Sequence, residues 1–232
     1  MVYSRIAAAA LAACSALLVA ATDDAPRPAS LEAQVLAQIN EARQNPRAYA
    51  AVRRAFRRFF DGDILYLPGD PNGVITREGA SAVDEAIDFL EHQRPLPPLD
   101  RGALLALAAQ DHVDDQGAMG STGHKSRDGA GPGQRVQRRG GDIYVSETIS
   151  YGHAQADAVV RQLIVDDGVP GRGHRVLLFK DDYRFAGVGC GDHIRYGYMC
   201  VVDLSATVNG KPDLTQWAQA APARAPVRAR AR

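Results

Sequence analysis

The residues of this chain best suited to chemistry are one glutamate and two histidines. Glu147 sits in Ile143-Tyr144-Val145-Ser146-Glu147-Thr148-Ile149-Ser150, a run that alternates apolar and polar residues as a half-buried strand does. Side chains repeat every second residue on a strand, so Glu147 shares a side with Ile143, Val145 and Ile149. A carboxylate among hydrophobes is expensive to bury unless a cation, a donor or a metal meets it. The nearest partners on offer are His124, in Ser121-Thr122-Gly123-His124, and His174, in Gly171-Arg172-Gly173-His174-Arg175. Two imidazoles and a carboxylate match the ligand set of an open site for Zn2+ or another divalent cation. A Glu beside a His also suits general acid/base work. No nucleophile accompanies them: Ser121, Ser126 and Ser146 read as loop and strand serines, outside any elbow or triad context. No residue is therefore assigned as catalytic.

The elements that must position these groups can be read from periodicity and punctuation. A first helix starts at the N-cap Ser30, with Leu31, Val35, Ile39 and Ala42 at helical spacing. Asn45-Pro46 ends it and opens a second, with Asn45 as N-cap and Pro46 at the first helical position. Tyr49, Val52, Phe56, Phe59 and Phe60 form an aromatic stripe expected in the core. Asp61 to Thr76 is Gly- and Pro-rich and reads as a loop with a short hairpin. A third helix spans about Gly79 to Gln93, and Asp100 is expected to cap a fourth that faces Leu104, Leu107 and Ala108 inward. Gly120 to Gly141 reads as loop. A helix from about Ala154 to Val165, ended by Gly168 and Pro170, precedes a second loop with His174. Helices followed by strands predict an α+β fold with an antiparallel sheet flanked by helices.

The first residues read as a targeting signal. Arg5 precedes the apolar run Ile6 to Ala21, and Val19-Ala20-Ala21 offers a cleavage site before Thr22. The expected organisation is a signal peptide over 1–21, a linker over 22–29, one domain over 30–217 and an Ala/Pro/Arg tail over 218–232. Leu11-Ala12-Ala13-Cys14 resembles a lipobox, which would tether the protein through Cys14. The residues after it stay apolar, which favours a secreted or periplasmic chain. No later segment is long and apolar enough to span a bilayer. Cleavage after Ala21 leaves Cys190 and Cys200, and an oxidising compartment predicts one disulfide between two strand-like runs. The formal net charge is zero. Setting aside Arg5 and the four tail arginines leaves 22 basic against 27 acidic residues, so nucleic acid is not an expected partner. The Ala- and Arg-rich, Lys-poor composition points to a bacterium.

Four pieces in order resemble the CAP superfamily of cysteine-rich secretory, antigen 5 and pathogenesis-related proteins, with its bacterial SCP-like relatives. They are Asn40-Glu41-Ala42-Arg43; Leu99 through Ala108, Ala109 and His112, followed by His124; Ser146-Glu147-Thr148-Ile149 with Gly152; and Gly173-His174-Arg175 with Tyr183, Gly187, Val188 and Gly189. The resemblance covers Leu31 to about Ser205. It implies an α-β-α sandwich with an antiparallel sheet between helical layers, and a cleft lined by two histidines and two acids. His124, Glu147 and His174 carry over directly; Asp166 or Asp167 is the nearest match for the second acid. Thr148 replaces the family's Asn, no tryptophan precedes the His174 loop, and the segment from Asp61 to Leu96 is longer than a minimal domain needs.

These readings combine into a monomeric, exported binding protein that takes a divalent metal or small ligand in its cleft without turning it over. A metal-dependent hydrolase or protease using the same cleft is the first alternative. A lipid or sterol binder is the second, with Asp61 to Thr76 as the extra segment available to line a groove. An extracellular protein partner fits equally. His112 is expected to pack or to meet Asp111 or Asp115, and His92, His153 and His193 to be solvated. Arg172 and Arg175 are expected to pair with acids in their loop.

Overall fold

The computed structural model describes residues 29–212, so the signal segment, Cys14 and the Arg-rich tail lie outside the described residues. Helix α1 (Leu31–Gln44) begins where Ser30 Oγ accepts the Ala33 N–H at 3.3 Å. Helix α2 (Pro46–Arg57) begins on its proline, although the Asn45 side chain makes no capping bond. Three short strands follow, β1 (Phe60–Asp61), β2 (Ile64–Leu65) and β3 (Val74–Ile75), which form a small antiparallel flap. Helix α3 (Ala80–His92) then leads into β4 (Asp100–Arg101) and helix α4 (Ala103–Met119). Asp100 does not cap α4. It pairs with Phe185 in a sheet, and Gly102 precedes the helix.

The segment after α4 is not all loop, because it contains helix α5 (Pro132–Arg138). Strand β5 (Ser146–Tyr151) carries Glu147, and helix α6 (Ala156–Val165) follows. His174 lies in the first turn of a short helix, α7 (Gly173–Leu178), rather than in a loop. Strands β6 (Phe185–His193) and β7 (Gly197–Ser205) close the main sheet, whose order is β4-β6-β7-β5. The long pairings β5–β7 and β6–β7 are antiparallel, and only the short β4–β6 contact is parallel.

Alternation along the strands divides the core in two. Ala186, Val188, Cys190, Cys200, Val202 and Leu204 pack with α1, α2, α3 and α6 on one face. Ile149, Met199 and Val201 meet Ala109 and Val113 of α4 on the other, with Leu105, Ala108 and Val136 beside them. The architecture is thus an α+β sandwich of helix, sheet and helix. The inner face of α4 matches the expected one only in part: Ala108 is buried as expected, but Leu105 is buried too, whereas Leu107 is about half exposed. The cause lies in β6. A Cβ on Gly187 would stand 2.0 Å from the Ala106 nitrogen, and one on Gly189 would stand 2.5 Å from the Gln110 nitrogen. The helix backbone rests on the strand backbone, so Leu105, Ala108 and Ala109 face inward and Leu107 does not.

Two residues of the first motif pin this assembly. Asn40 exchanges hydrogen bonds with the Leu99 backbone at 2.7 and 2.9 Å. Arg43 is fully buried and donates to the carbonyls of Pro97, Leu178 and Lys180. Cys190 and Cys200 face each other across β6 and β7 and form the expected disulfide.

Candidate functional site

Strand β5 is the sheet edge away from β4, and the two helical layers meet in front of it. From the α4 side comes His124. Its Nδ1 lies 2.8 Å from Glu147 Oε1. The other oxygen of Glu147 accepts from Arg135 Nη2, and both side chains of this ion pair are almost completely buried. Arg135 also donates to His124 O at 3.2 Å, Ser126 Oγ at 3.2 Å and Ala130 O at 3.0 Å. One guanidinium therefore fixes the carboxylate and the loop that carries its histidine. The geometry sets Glu147 behind His124, with both oxygens engaged and the imidazole Nε2 left outermost.

A second pair faces it from the α6 side. Asp166 ends α6 in the left-handed region (φ 59°), which an aspartate tolerates better than most residues. Its Oδ1 lies 2.6 Å from His174 Nδ1, and its Oδ2 accepts the His174 N–H at 2.9 Å. The carboxylate thus holds both the ring and the first turn of α7. Asp167 does different work. Its two oxygens accept the N–H groups of Arg77 and Glu78, each at 2.8 Å, and tie the end of the flap to α6. Of the two candidate acids, Asp166 is the one paired with a histidine.

His124 and His174 open into one cavity of about 530 Å3. Asp166 and Asp167 also border it, but most of the wall is apolar. Phe56 and Phe60 line one side, Leu65, Leu67 and Ile75 of the flap another, and Ile149 and Leu163 the floor. Phe56 and Phe60, expected in the core, are half-buried wall residues, and Val52 and Phe59 of the same stripe are exposed. Among the described residues no three His, Cys, Asp or Glu side chains converge to hold an ion.

The sequence motif described as CAP, the cysteine-rich secretory protein family, matches residues 36–204. The chain belongs to that family. Two solved structures are similar to this CAP domain. One is an extracellular protein containing a SCP domain from Bacillus anthracis, 22% identical over 52% of this chain and 37% of its own, with a TM-score of 0.41. The other is a cysteine-rich secretory protein from Staphylococcus aureus, 15% identical over 54% of this chain and 37% of its own, with a TM-score of 0.35. The matched part is little more than a third of either relative. No curated protein matches the chain.

Several site residues of this CAP domain escaped the sequence reading. Arg135 is one. Asp203 is another: it lies opposite Glu147 in the β5–β7 register, is fully buried, and neither of its oxygens has a hydrogen-bond partner among the described residues. Burial, then the neighbouring Glu147, pushes its carboxyl well above the ordinary carboxylate range. Burial and the neighbouring Glu147 thus both favour the protonated form of Asp203. Its signal was present in Met199-Cys200-Val201-Val202-Asp203-Leu204, a carboxylate in an apolar strand.

The remaining histidines follow expectation in part. His112 packs in the interior, as expected, and bonds Ser126 Oγ at 3.1 Å and Gly123 O at 2.9 Å rather than Asp111 or Asp115. Burial, its largest cause, lowers its pKa and keeps the ring neutral. His193, expected to be solvated, is buried with Nε2 2.8 Å from Ser121 O. His153 is half-buried and borders the cavity, while His92 is exposed. Tyr151 joins these parts, since its hydroxyl donates to Gln116 Oε1 at 2.8 Å and accepts the Gly123 N–H at 3.0 Å. Arg172 pairs with Glu78 and Glu85, and Arg175 with Glu85, so their acids lie on and before α3 rather than in the loop.

Proposed function

We propose that this CAP protein is an exported binding protein whose cleft holds a small amphipathic molecule without turning it over. The observation that carries the reading is the cavity: a volume suited to a small ligand, apolar walls and two convergent imidazoles. The flap supplies Leu65, Leu67 and Ile75 to that wall, and this extra segment has no other evident task. The ligand's apolar body packs on the flap and α6 while its polar group meets His124 and His174. Ser126 Oγ and Ser146 Oγ are engaged by Arg135 and Tyr183, and neither borders the cavity, which supports binding over acyl transfer.

A divalent cation is the second reading, favoured by one feature. Each histidine presents Nδ1 to a carboxylate and leaves Nε2 outward, the arrangement that orients metal-ligating imidazoles. Zn2+ held there would have His124 and His174 as protein ligands, Glu147 and Asp166 behind them, and would polarise a bound water or carbonyl.

Titration with an apolar fluorescent probe tests the main reading. Saturable binding to the full chain, abolished by Leu65→Asp and by Phe60→Asp, is expected. Absence of saturable binding would remove it. Calorimetry with Zn2+ on wild type, His124→Ala and His174→Ala tests the second reading, which requires binding that both variants lose.

A further inference from the structure

The cavity has a polar feature away from the histidines. Arg161 borders it from the middle of α6, with its guanidinium carbon 4.3 Å from the centre of the Phe56 ring. Arg161 lies five positions before Asp166, about 7.5 Å along the helix at the usual rise. Its Nη1 donates to Asp157 Oδ2 at 2.5 Å, and no other hydrogen bond reaches its guanidinium among the described residues. Asp157 is already shared, because its Oδ1 accepts from Arg53 Nη2 at 2.6 Å. Two guanidiniums thus lean on one carboxylate, and that carboxylate is about half exposed.

The cluster is short of negative charge and of acceptors. The Arg53 side chain is 2% exposed, and its Nε and Nη1 have no partner among the described residues. It stacks on Tyr49, whose buried hydroxyl is also unpartnered and is pushed up to about 12, chiefly by burial. Tyr49 therefore supplies no anion at neutral pH. Burial lowers the Arg161 pKa ahead of every other influence, so the attraction of Asp157 does not fully repay its desolvation. His153, lowered first by burial and then by Arg161, stays neutral beside it. A partly buried cation with spare donors, at an end of the cavity whose other walls are hydrocarbon or neutral, is completed by an anion.

We infer that the ligand of this cavity is an anionic amphiphile whose carboxylate or phosphate group is held by Arg161. This rests on the binding reading above and deepens it. The ligand's apolar body then runs from Phe56 and Phe60 under the flap toward the histidines, and Arg53 supports the Arg161 end through Asp157. Arg161 is the residue that sets the choice of head group, because the rest of that end of the wall is hydrocarbon or neutral.

The test is displacement of the apolar probe from the full chain by dodecanoate, dodecyl phosphate and dodecanol. These share an apolar chain and differ only in the head. A charge-assisted contact of this kind is worth about tenfold or more in affinity. The expected result is that at least one anion displaces the probe at about a tenth of the dodecanol concentration or less. The stronger of the two anions identifies the head group. In Arg161→Gln that preference should vanish while dodecanol affinity is kept, and in Arg161→Lys part of it should survive. Equal affinity for all three heads in wild type would overturn the inference and leave the binding reading standing. Displacement by none, with no saturable probe binding, would overturn both. Should Arg161→Gln fail to fold, the wild-type head-group comparison alone decides.

Discussion

Replacing Arg135 by methionine removes the cation from the most deeply buried ion pair at the cleft, and its cost follows from what is left behind. Both partners are nearly inaccessible, with side chains 2% and 1% exposed. Methionine fills much of the volume but gives Glu147 no donor, so an ionised carboxylate would stay buried with only His124 and the Asp203 acid near it. Breaking a buried pair by removing one partner costs about 3–5 kcal/mol. Arg135 also holds His124 O, Ser126 Oγ and Ala130 O, which places the expectation toward the upper end. For a domain of this size each kcal/mol moves the melting temperature by about 2–4 °C, so Arg135→Met should melt about 6–20 °C below wild type. Urea unfolding at pH 7 should show the same loss as a lower midpoint with an unchanged slope. The double variant Arg135→Met/Glu147→Gln separates charge from packing. Neutralising the stranded carboxylate should recover at least about 1 kcal/mol relative to additivity, leaving the loss of the loop contacts. A destabilisation below about 1 kcal/mol, or strict additivity in the double variant, would show that Arg135 does not hold the charge of Glu147.

Two further outcomes follow from buried groups. Because Asp203 has a raised pKa in the folded protein, the unfolded chain loses its proton first as pH rises. Stability is therefore drained above the unfolded carboxylate value, by about 1.4 kcal/mol per pH unit, until the folded group ionises. Asp203→Asn carries no such proton, so its stability relative to wild type should improve as the pH rises above the unfolded carboxylate value in urea titrations. A pH-independent difference would mean that Asp203 is ionised in the fold. The disulfide joins residues ten apart, for which loop closure contributes about 3 kcal/mol. The double variant Cys190→Ser/Cys200→Ser should lose about that much stability, and unchanged melting would show that the strand pairing alone holds the hairpin.

The parts of the fold legible in the sequence were those governed by local rules. Ser30, Pro46 and Gly79 mark helix starts by backbone chemistry that needs no distant partner, and the structure begins helices beside each. Glu147 stood out because a carboxylate breaks an apolar strand. The same rule holds at Asp203, a carboxylate in the apolar run of β7. Arg135 gave no comparable sign: an arginine in a Gly-rich stretch looks solvated until the chain folds its partners around it. The phase of α4 misled for a tertiary reason. Ala108 is buried as expected, but glycines on β6 bring the backbones together and place Leu105 and Ala109 beside it in the interior, leaving Leu107 about half exposed. The stripe of Phe56 and Phe60 read as core because periodicity records an apolar face without saying whether protein or ligand covers it.

The glycines of β6 also bear on how the site will answer to random mutation. Helix α4 is seated on Gly187 and Gly189 by backbone contact, and the loop that presents His124 hangs from its far end. A methyl group at either glycine lifts the helix, and with it the histidine, although neither glycine borders the cavity. Selections for lost binding will therefore return strand positions that lie two strands across the sheet from Glu147 and Ile149 and do not themselves border the cavity. A map of the recognition surface drawn from such losses would be too wide, with its boundary set by helix seating as much as by contact.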